Sequence, residues 1–434
     1  MAAPAGGRHH TETSRWPLCA PPAHDEAGLP PNLLPRWSKT RPASSPGAAA
    51  GAAQTSGPPP ATDAAPRPAA PGAAPQTARR DDGPSLQDLV RIADEKGYSD
   101  VHLGVGEVPR YRERGEIIPT DWPVTDDATF VDWMKEVLPP EKIDSFLRNK
   151  DFDGSYAFPF VRVRINLMDS LLGPAMVLRL IPKEILTMEQ LNLPEVLREL
   201  ASRPKGLVLI TGPTGSGKST TLAAMIDWIN RNQSRHILTI EDPVEFVHSS
   251  RRSLVRHREV GMHTHKFHNA LKASLREDPD VILIGEIRDQ ETLGTALEAS
   301  QTGHLVFGTL HTNSAVKTVE RVLGMYEPEQ QDSVRRSLSE SLLGVIAQGL
   351  IRTTDGKRAA YHDILVNSDA CKDYIQRGEL DSVEEIMQRS RFEGMCTANQ
   401  VLAELVETGK VEPEKALEAS LKPNELAQAL RGRQ

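Results

Sequence analysis

Gly212-Pro213-Thr214-Gly215-Ser216-Gly217-Lys218-Ser219 satisfies G-x-x-x-x-G-K-[ST], the pattern of a phosphate-binding loop. Its glycines let backbone N–H groups close around a β-phosphate, and the positive end of the following helix adds its field. Lys218 is placed to reach the β- and γ-phosphates, and Ser219 to hold Mg²⁺. Thr220, next in the helix's first turn, completes the ATP-binding set. A chance match in a chain of this length is on the order of one per cent from average residue frequencies. The flanks agree. Gly206-Leu207-Val208-Leu209-Ile210-Thr211 is a short apolar run of the kind buried on both faces of a sheet. On the other side, Leu222, Met225, Ile226 and Ile229 recur at i, i+3, i+4 and i+7, one face of a helix.

Further apolar runs at 237–240, 281–284 and 305–310, with helical segments at 270–277 and 291–301 between them, predict an α/β domain with a largely parallel sheet. Three of these runs end in chemistry. Val281-Ile282-Leu283-Ile284 leads to Gly285-Glu286-Ile287-Arg288-Asp289, where Gly285 stands in for the first member of an acidic pair and leaves Glu286 to activate water. Another leads to Glu241-Asp242-Pro243-Val244-Glu245, whose carboxylates suit Mg²⁺ and water, with Glu241 and Asp242 the metal candidates. The last is framed by His304 and His311, two candidate phosphate sensors. His257, His263, His265 and His268 read as a solvated polar loop rather than a metal site. After about residue 330 the chain reads as helical, with Leu338, Leu342, Leu343 and Ile346 as an apolar stripe.

Toward the N-terminus the composition changes. Residues 1–80 hold 16 of the 33 prolines, and residues 1–83 read as a disordered tail with polyproline II character. Residues 1–80 carry eight Lys/Arg against four Asp/Glu, while the whole chain has a formal charge of −8, so the folded part is acidic. That balance, without an aromatic–basic stretch, argues against nucleic acid as a partner. The three cysteines form no pair at metal-site spacing, which fits a reducing compartment. No apolar run is long enough for a transmembrane helix and no secretory signal is visible, so a cytoplasmic protein is expected. Ser85 precedes Leu86, Leu89, Val90 and Ile92 as a helix N-cap. A second helix is expected over 127–138, and strands at 101–103, 161–165 and 175–181, giving a mixed α+β domain over 84–183.

Together these motifs resemble the secretion-superfamily ATPases, closest to the type IV pilus retraction group, PilT/PilU. The resemblance spans residues 85–421 and rests on the P-loop, residues 240–248 as the family's Asp box, 277–289 as its Walker B region and 302–313 as its His box. It implies a PAS-like N-terminal domain, a linker at 184–205, a RecA-like core over 206–366 and C-terminal helices over 367–434. It implies a homohexamer that hydrolyses ATP with Mg²⁺, acting at the inner face of the cytoplasmic membrane. Its partners would be an inner-membrane platform protein and a paralogous pilus ATPase. Residue by residue, it makes Glu286 the catalytic glutamate, Glu245 the essential Asp-box glutamate, His304 and His311 the His-box pair, and Arg164 and Arg179 arginines that reach the nucleotide. Two features bear on direction. The four-cysteine zinc insertion of extension and type II secretion ATPases is absent, which favours retraction. The family's A-I-R-N-L-I-R-E helix reads here Ala370-Cys371-Lys372-Asp373-Tyr374-Ile375-Gln376-Arg377, identical only at Ala370 and Ile375.

Overall fold

The structure is a computed structural model that describes residues 83–432; the tail expected over 1–83 lies, but for its last residue, outside the described residues. The described chain builds two sheets. The first is a six-stranded antiparallel sheet with three helices: α1 (Leu86–Lys96), β1 (Asp100–Gly104), β2 (Arg110–Glu113), β3 (Glu116–Pro119), α2 (Asp127–Val137), α3 (Pro140–Asn149), β4 (Asp151–Ala157), β5 (Arg162–Ser170) and β6 (Gly173–Ile181). Its strand order is β3-β2-β1-β6-β5-β4. Ser85 caps α1 by accepting the Asp88 N–H, and Asp126 caps α2 by accepting the Thr129 N–H. Leu86, Leu89, Val90 and Ala93 form the buried stripe of α1. Val163, Ile165 and Leu167 of β5 alternate into the same core, leaving Arg162 and Arg164 on the other face.

A connector with the short helix α4 (Val196–Ser202) leads to the second sheet. It comprises β7 (Gly206–Thr211), α5 (Lys218–Asn232), β8 (His236–Glu241), β9 (Leu254–Glu259), α6 (Phe267–Ser274), β10 (Val281–Ile284), α7 (Gln290–Gln301), β11 (Leu305–Leu310), α8 (Ala315–Leu323), α9 (Pro328–Ser341), β12 (Leu342–Arg352) and β13 (Arg358–Val366). Strand order is β13-β12-β7-β11-β10-β8-β9, parallel throughout except for the antiparallel edge strand β13. Every residue of β7 is buried. Leu207 and Leu209 pack on one face of the sheet with α7 and α8, while Val208 and Ile210 pack on the other with α5. That two-sided burial explains a continuous apolar run where a half-exposed strand would alternate.

The helical reading beyond residue 330 fails after Ser341. Leu342, Leu343 and Ile346 lie on β12, not on a helix. A short apolar run looks the same in a buried strand as in a buried helix, and here pairing with β7 and β13 decides it. The chain then closes with α10 (Asp369–Arg377), α11 (Leu380–Arg389), α12 (Ala398–Glu407), α13 (Pro413–Ala419) and α14 (Pro423–Gly432). Buried Asp363 of β13 accepts the Ala315 N–H of α8 at 2.7 Å and the Ala398 N–H of α12 at 3.1 Å, so one carboxylate caps two helices.

Candidate functional site

Parallel register gathers the functional groups. Ile284 pairs with Ile240 on one side and Gly308 on the other, and Leu310 pairs with Thr211. The C-terminal ends of β7, β8, β10 and β11 therefore lie along one edge, where ligands bind in open α/β sheets. A cleft of about 690 Å³ opens there. Thr214, Gly215, Gly217, Lys218, Ser219 and Thr220 line it, facing Glu241, Asp242, Glu245, Glu286 and His311. Arg164 and Arg179 of the first sheet form part of its wall.

The loop's glycines are required by close approach. Gly212 has φ +142°, and a Cβ there would sit 2.2 Å from the Gln348 carbonyl oxygen. At Gly217 a Cβ would come within 2.8 Å of the Gln348 side-chain nitrogen. Gln348, buried on β12, donates from Nε2 to the Ser216 carbonyl at 2.7 Å and accepts the Thr221 hydroxyl at 2.7 Å. It thus ties the loop to α5 from below. Gly217 provides no side-chain cap for α5, so the first N–H groups of that helix are left for an anion. Ser216 Oγ is buried without a partner. Lys218 Nζ donates to the carbonyls of Gly212 at 2.8 Å and Pro213 at 3.0 Å. Burial pushes the Lys218 ammonium below its usual range, opposed by the charges of Glu245 and Glu286. Unsatisfied N–H groups, a partnerless hydroxyl and a folded-back lysine all fit a phosphate chain.

Opposite the loop, Glu286 Oε2 accepts Arg288 Nη2 at 2.7 Å, and its Oε1 lies 3.4 Å from His311 Nε2. The hydrogen bond from Arg288 holds the Glu286 carboxyl below the ordinary carboxylate range, against the upward push of burial. It is therefore ionised near neutrality, the form able to take a proton from water. Glu241 accepts the Glu245 N–H at 3.3 Å. Burial and the nearby charge of Asp153 push Asp242 upward. A cation beside it would relieve that penalty. The Ser219 hydroxyl, Glu241 and Asp242 are oxygen donors of the class Mg²⁺ takes. Among the described residues no three His, Cys, Asp or Glu side chains converge as a cage. A cation here would draw its other ligands from phosphate and water.

The arginine wall is already paired. Arg164 forks onto Asp153, and it also feels the charges of Asp242 and Glu245. Arg179 is exposed, and its Nε donates at 2.8 Å to buried Asp100. Burial works to raise Asp100, but hydrogen bonds from Arg179 and Ser99 outweigh it and hold the carboxyl below its usual range.

His304 is not brought to the cleft. It precedes β11, at the opposite edge of the sheet, and its Nδ1 lies 2.9 Å from the Ala299 carbonyl. The six residues of β11 separate it from His311, a span of seven rises or roughly 23 Å. The other histidines also part company. His257 lies on β9 rather than in a loop, with Nδ1 2.8 Å from Thr239 Oγ1 and Nε2 accepting the His248 N–H at 3.0 Å. His263 accepts the Glu259 N–H, and His268 lies 3.1 Å from Glu291. Asp289 caps α7 by accepting the Thr292 N–H. Sequence reasoning missed Arg288, Gln348, His248 and Arg358. Arg288 stood within a quoted motif, whereas Gln348 was hidden by the helical reading of its strand.

Residues 157–425 match the family described as type II/IV secretion system protein. The chain belongs to that family. Within it, the chain is 45% identical over 310 residues to a twitching motility protein of Neisseria gonorrhoeae, covering 71% of this chain and 83% of that one. It is 42% identical over 339 residues to the type IV pilus retraction ATPase PilT of Pseudomonas aeruginosa, covering 78% and 98%. A crystal structure of the pilus retraction motor PilT with bound ADP superposes with a TM-score of 0.75 at 41% identity, covering 79% of this chain and 99% of that one. The chain is a P-loop ATPase of the type II/IV secretion family.

Proposed function

We propose that this chain works as a hexameric ATP-hydrolysing motor that powers type IV pilus retraction by subunit disassembly at the inner membrane. The observation that carries this reading is the two-sided cleft. Lys218, Glu245, Glu286 and His311 come from one sheet, and Arg164 and Arg179 from another. In this reading the P-loop amides and Lys218 bind the phosphates of ATP, and Ser219 with Glu241 and Asp242 holds Mg²⁺. The bound cation would neutralise phosphate charge. Glu286 takes a proton from the attacking water, oriented by Arg288 and His311. Arg164 and Arg179 stabilise charge on the transferring phosphoryl group when they leave their acidic partners. Domain motion at each turnover would work against an inner-membrane platform protein, with the ring peripheral to the cytoplasmic face. Among the described residues no helix is long and apolar enough to cross a membrane.

A chromosomal deletion tests the direction of work. Hyperpiliated, non-twitching cells, restored by the parent gene but not by Lys218→Ala, are the expected result. Bald cells would mean extension. The outer face of α10 favours a second reading, an accessory motor acting with a paralogue. Cys371 and Ile375 keep its packing face buried, whereas Asp373, Gln376 and Arg377 are exposed and depart from the retraction pattern. The chain is 37% identical over 346 residues to the pilus ATPase PilU of P. aeruginosa. Retraction that persists in the deletion strain but weakens under load would select this second reading.

A further inference from the structure

We propose that Glu259 is a positioning residue for hydrolysis: it couples the arginine-bearing strand β5 to residues 242–245, so that Arg164 and Glu245 keep a fixed relation across the cleft. The inference rests on the reading of the cleft as a hydrolytic site.

Glu259 ends β9, and its side chain is 1% exposed. A carboxylate so deeply buried is costly unless fully paired. Its partners come from three places. Oε1 accepts the Ser155 hydroxyl of β4 at 2.5 Å. Oε2 accepts Arg162 Nη2 of β5 at 2.5 Å and the backbone N–H of Val244 at 3.1 Å. Arg162 also donates to Ser155 Oγ at 2.6 Å, closing the triangle on the N-terminal side. Nearby, Lys142 Nζ donates to the Gly261 carbonyl at 3.1 Å, so a second contact from the first domain lands just beyond β9.

The consequence lies one step along each chain. Arg162 and Arg164 are two residues apart on β5 and share a sheet face. Val244 directly precedes Glu245. The same carboxylate therefore fixes the neighbours of both groups. It reaches neither the phosphate-binding loop nor Glu286, so nucleotide affinity and proton acceptance do not depend on it directly. A purely cohesive contact would support folding alone. A positioning contact sets turnover, because small misplacements at a phosphoryl-transfer site cost rate more than binding.

The test uses the full chain with Glu259→Gln, Arg162→Gln, both together, and Arg162→Lys. For each, kcat and KM for ATP, affinity for a fluorescent ADP analogue and the thermal midpoint are measured. Spin labels on cysteines introduced at Asn149 and Lys272, with Cys19→Ser, report the distance between the domains. Each single substitution is expected to lower kcat about tenfold with ADP affinity held within about threefold. The double variant should be no slower than the slower single one, and Arg162→Lys should recover most of the turnover. The label distance distribution should broaden in the Gln variants. Turnover within twofold of the parent in both singles overturns the proposal, as do multiplicative losses in the double variant or an unchanged distance distribution. If Glu259→Gln does not fold, Arg162→Gln decides by the same criteria. If the parent itself has no turnover, the site reading falls, and the label distances alone decide the coupling.

Discussion

The two walls of the cleft are built on different principles. The core wall sits at the ends of strands buried on both faces, and the register of four neighbours fixes where Lys218, Glu241, Glu286 and His311 emerge. The opposing wall is an antiparallel sheet whose arginines point to solvent, and each is already held by an acid: Arg164 by Asp153, Arg179 by Asp100. The first wall is fixed by strand pairing within one sheet. The second is charged and already paired, and in the proposed reading its arginines exchange one anion for another. Binding should therefore belong to the core wall, which also carries the proton acceptor Glu286, whereas the arginine wall should contribute to rate alone.

The largest break in that comparison comes from the core. Glu286→Gln should keep ATP binding and lower kcat by about 1,000-fold, roughly 4 kcal/mol of barrier. Lys218→Ala should abolish binding in the same fluorescence titration. Arg164→Ala should lower kcat by about 30-fold with KM changed less than threefold, as an arginine acting on the transition state requires. An equal fall in affinity would move Arg164 to the binding wall. Gln348→Ala leaves the Thr221 hydroxyl and the Ser216 carbonyl without their partner. It should cost about 2 kcal/mol in urea unfolding and weaken ATP binding severalfold.

The smallest effect is one of pH. Burial pushes His248 down to about 3 and His362 to about 4. Unfolded histidine titrates near 6.5, so between that value and about 4 the unfolded chain takes up protons that the folded chain refuses. Both histidines leave stability intact above pH 6.5 and remove it as pH falls, by about 1.4 kcal/mol per unit for each. Urea midpoints at pH 7.5 and 5.5 should converge in His248→Gln and His362→Gln relative to the parent. An unchanged gap would mean that both rings charge within the fold.

The core wall was legible in the sequence because its signals are local. A loop pattern between an apolar run and a 3.6-period helix needs no tertiary information, and neither does a carboxylate that ends a strand. The arginine wall was legible only by resemblance, since Arg164 on an exposed sheet face looks like any strand arginine. Gln348 was lost because Gly344-Val345-Ile346-Ala347 reads equally as helix or buried strand, and only pairing with β7 separates them. His304 lies away from the cleft for a simpler reason. Two residues flanking a six-residue strand cannot share one edge of a sheet, and strand rise alone was enough to say so. Glu259 carried no signal at all, because its meaning lies in Ser155, Arg162 and Val244, which are distant in sequence and adjacent in space.

Asp363 bears on how genetic lesions in this ATPase should be interpreted. It holds the first amide of α8 and the first amide of α12, and only three residues separate His311 from Ala315. His311 is thus moored, four residues on, to the same post as the C-terminal helices. A substitution near Ala398 that tilts α12 will slacken that mooring without touching the cleft. Loss of motility from such a change would look like a lost docking surface, yet its cause would lie in the ATPase cycle. Turnover assays on purified protein would tell the two apart.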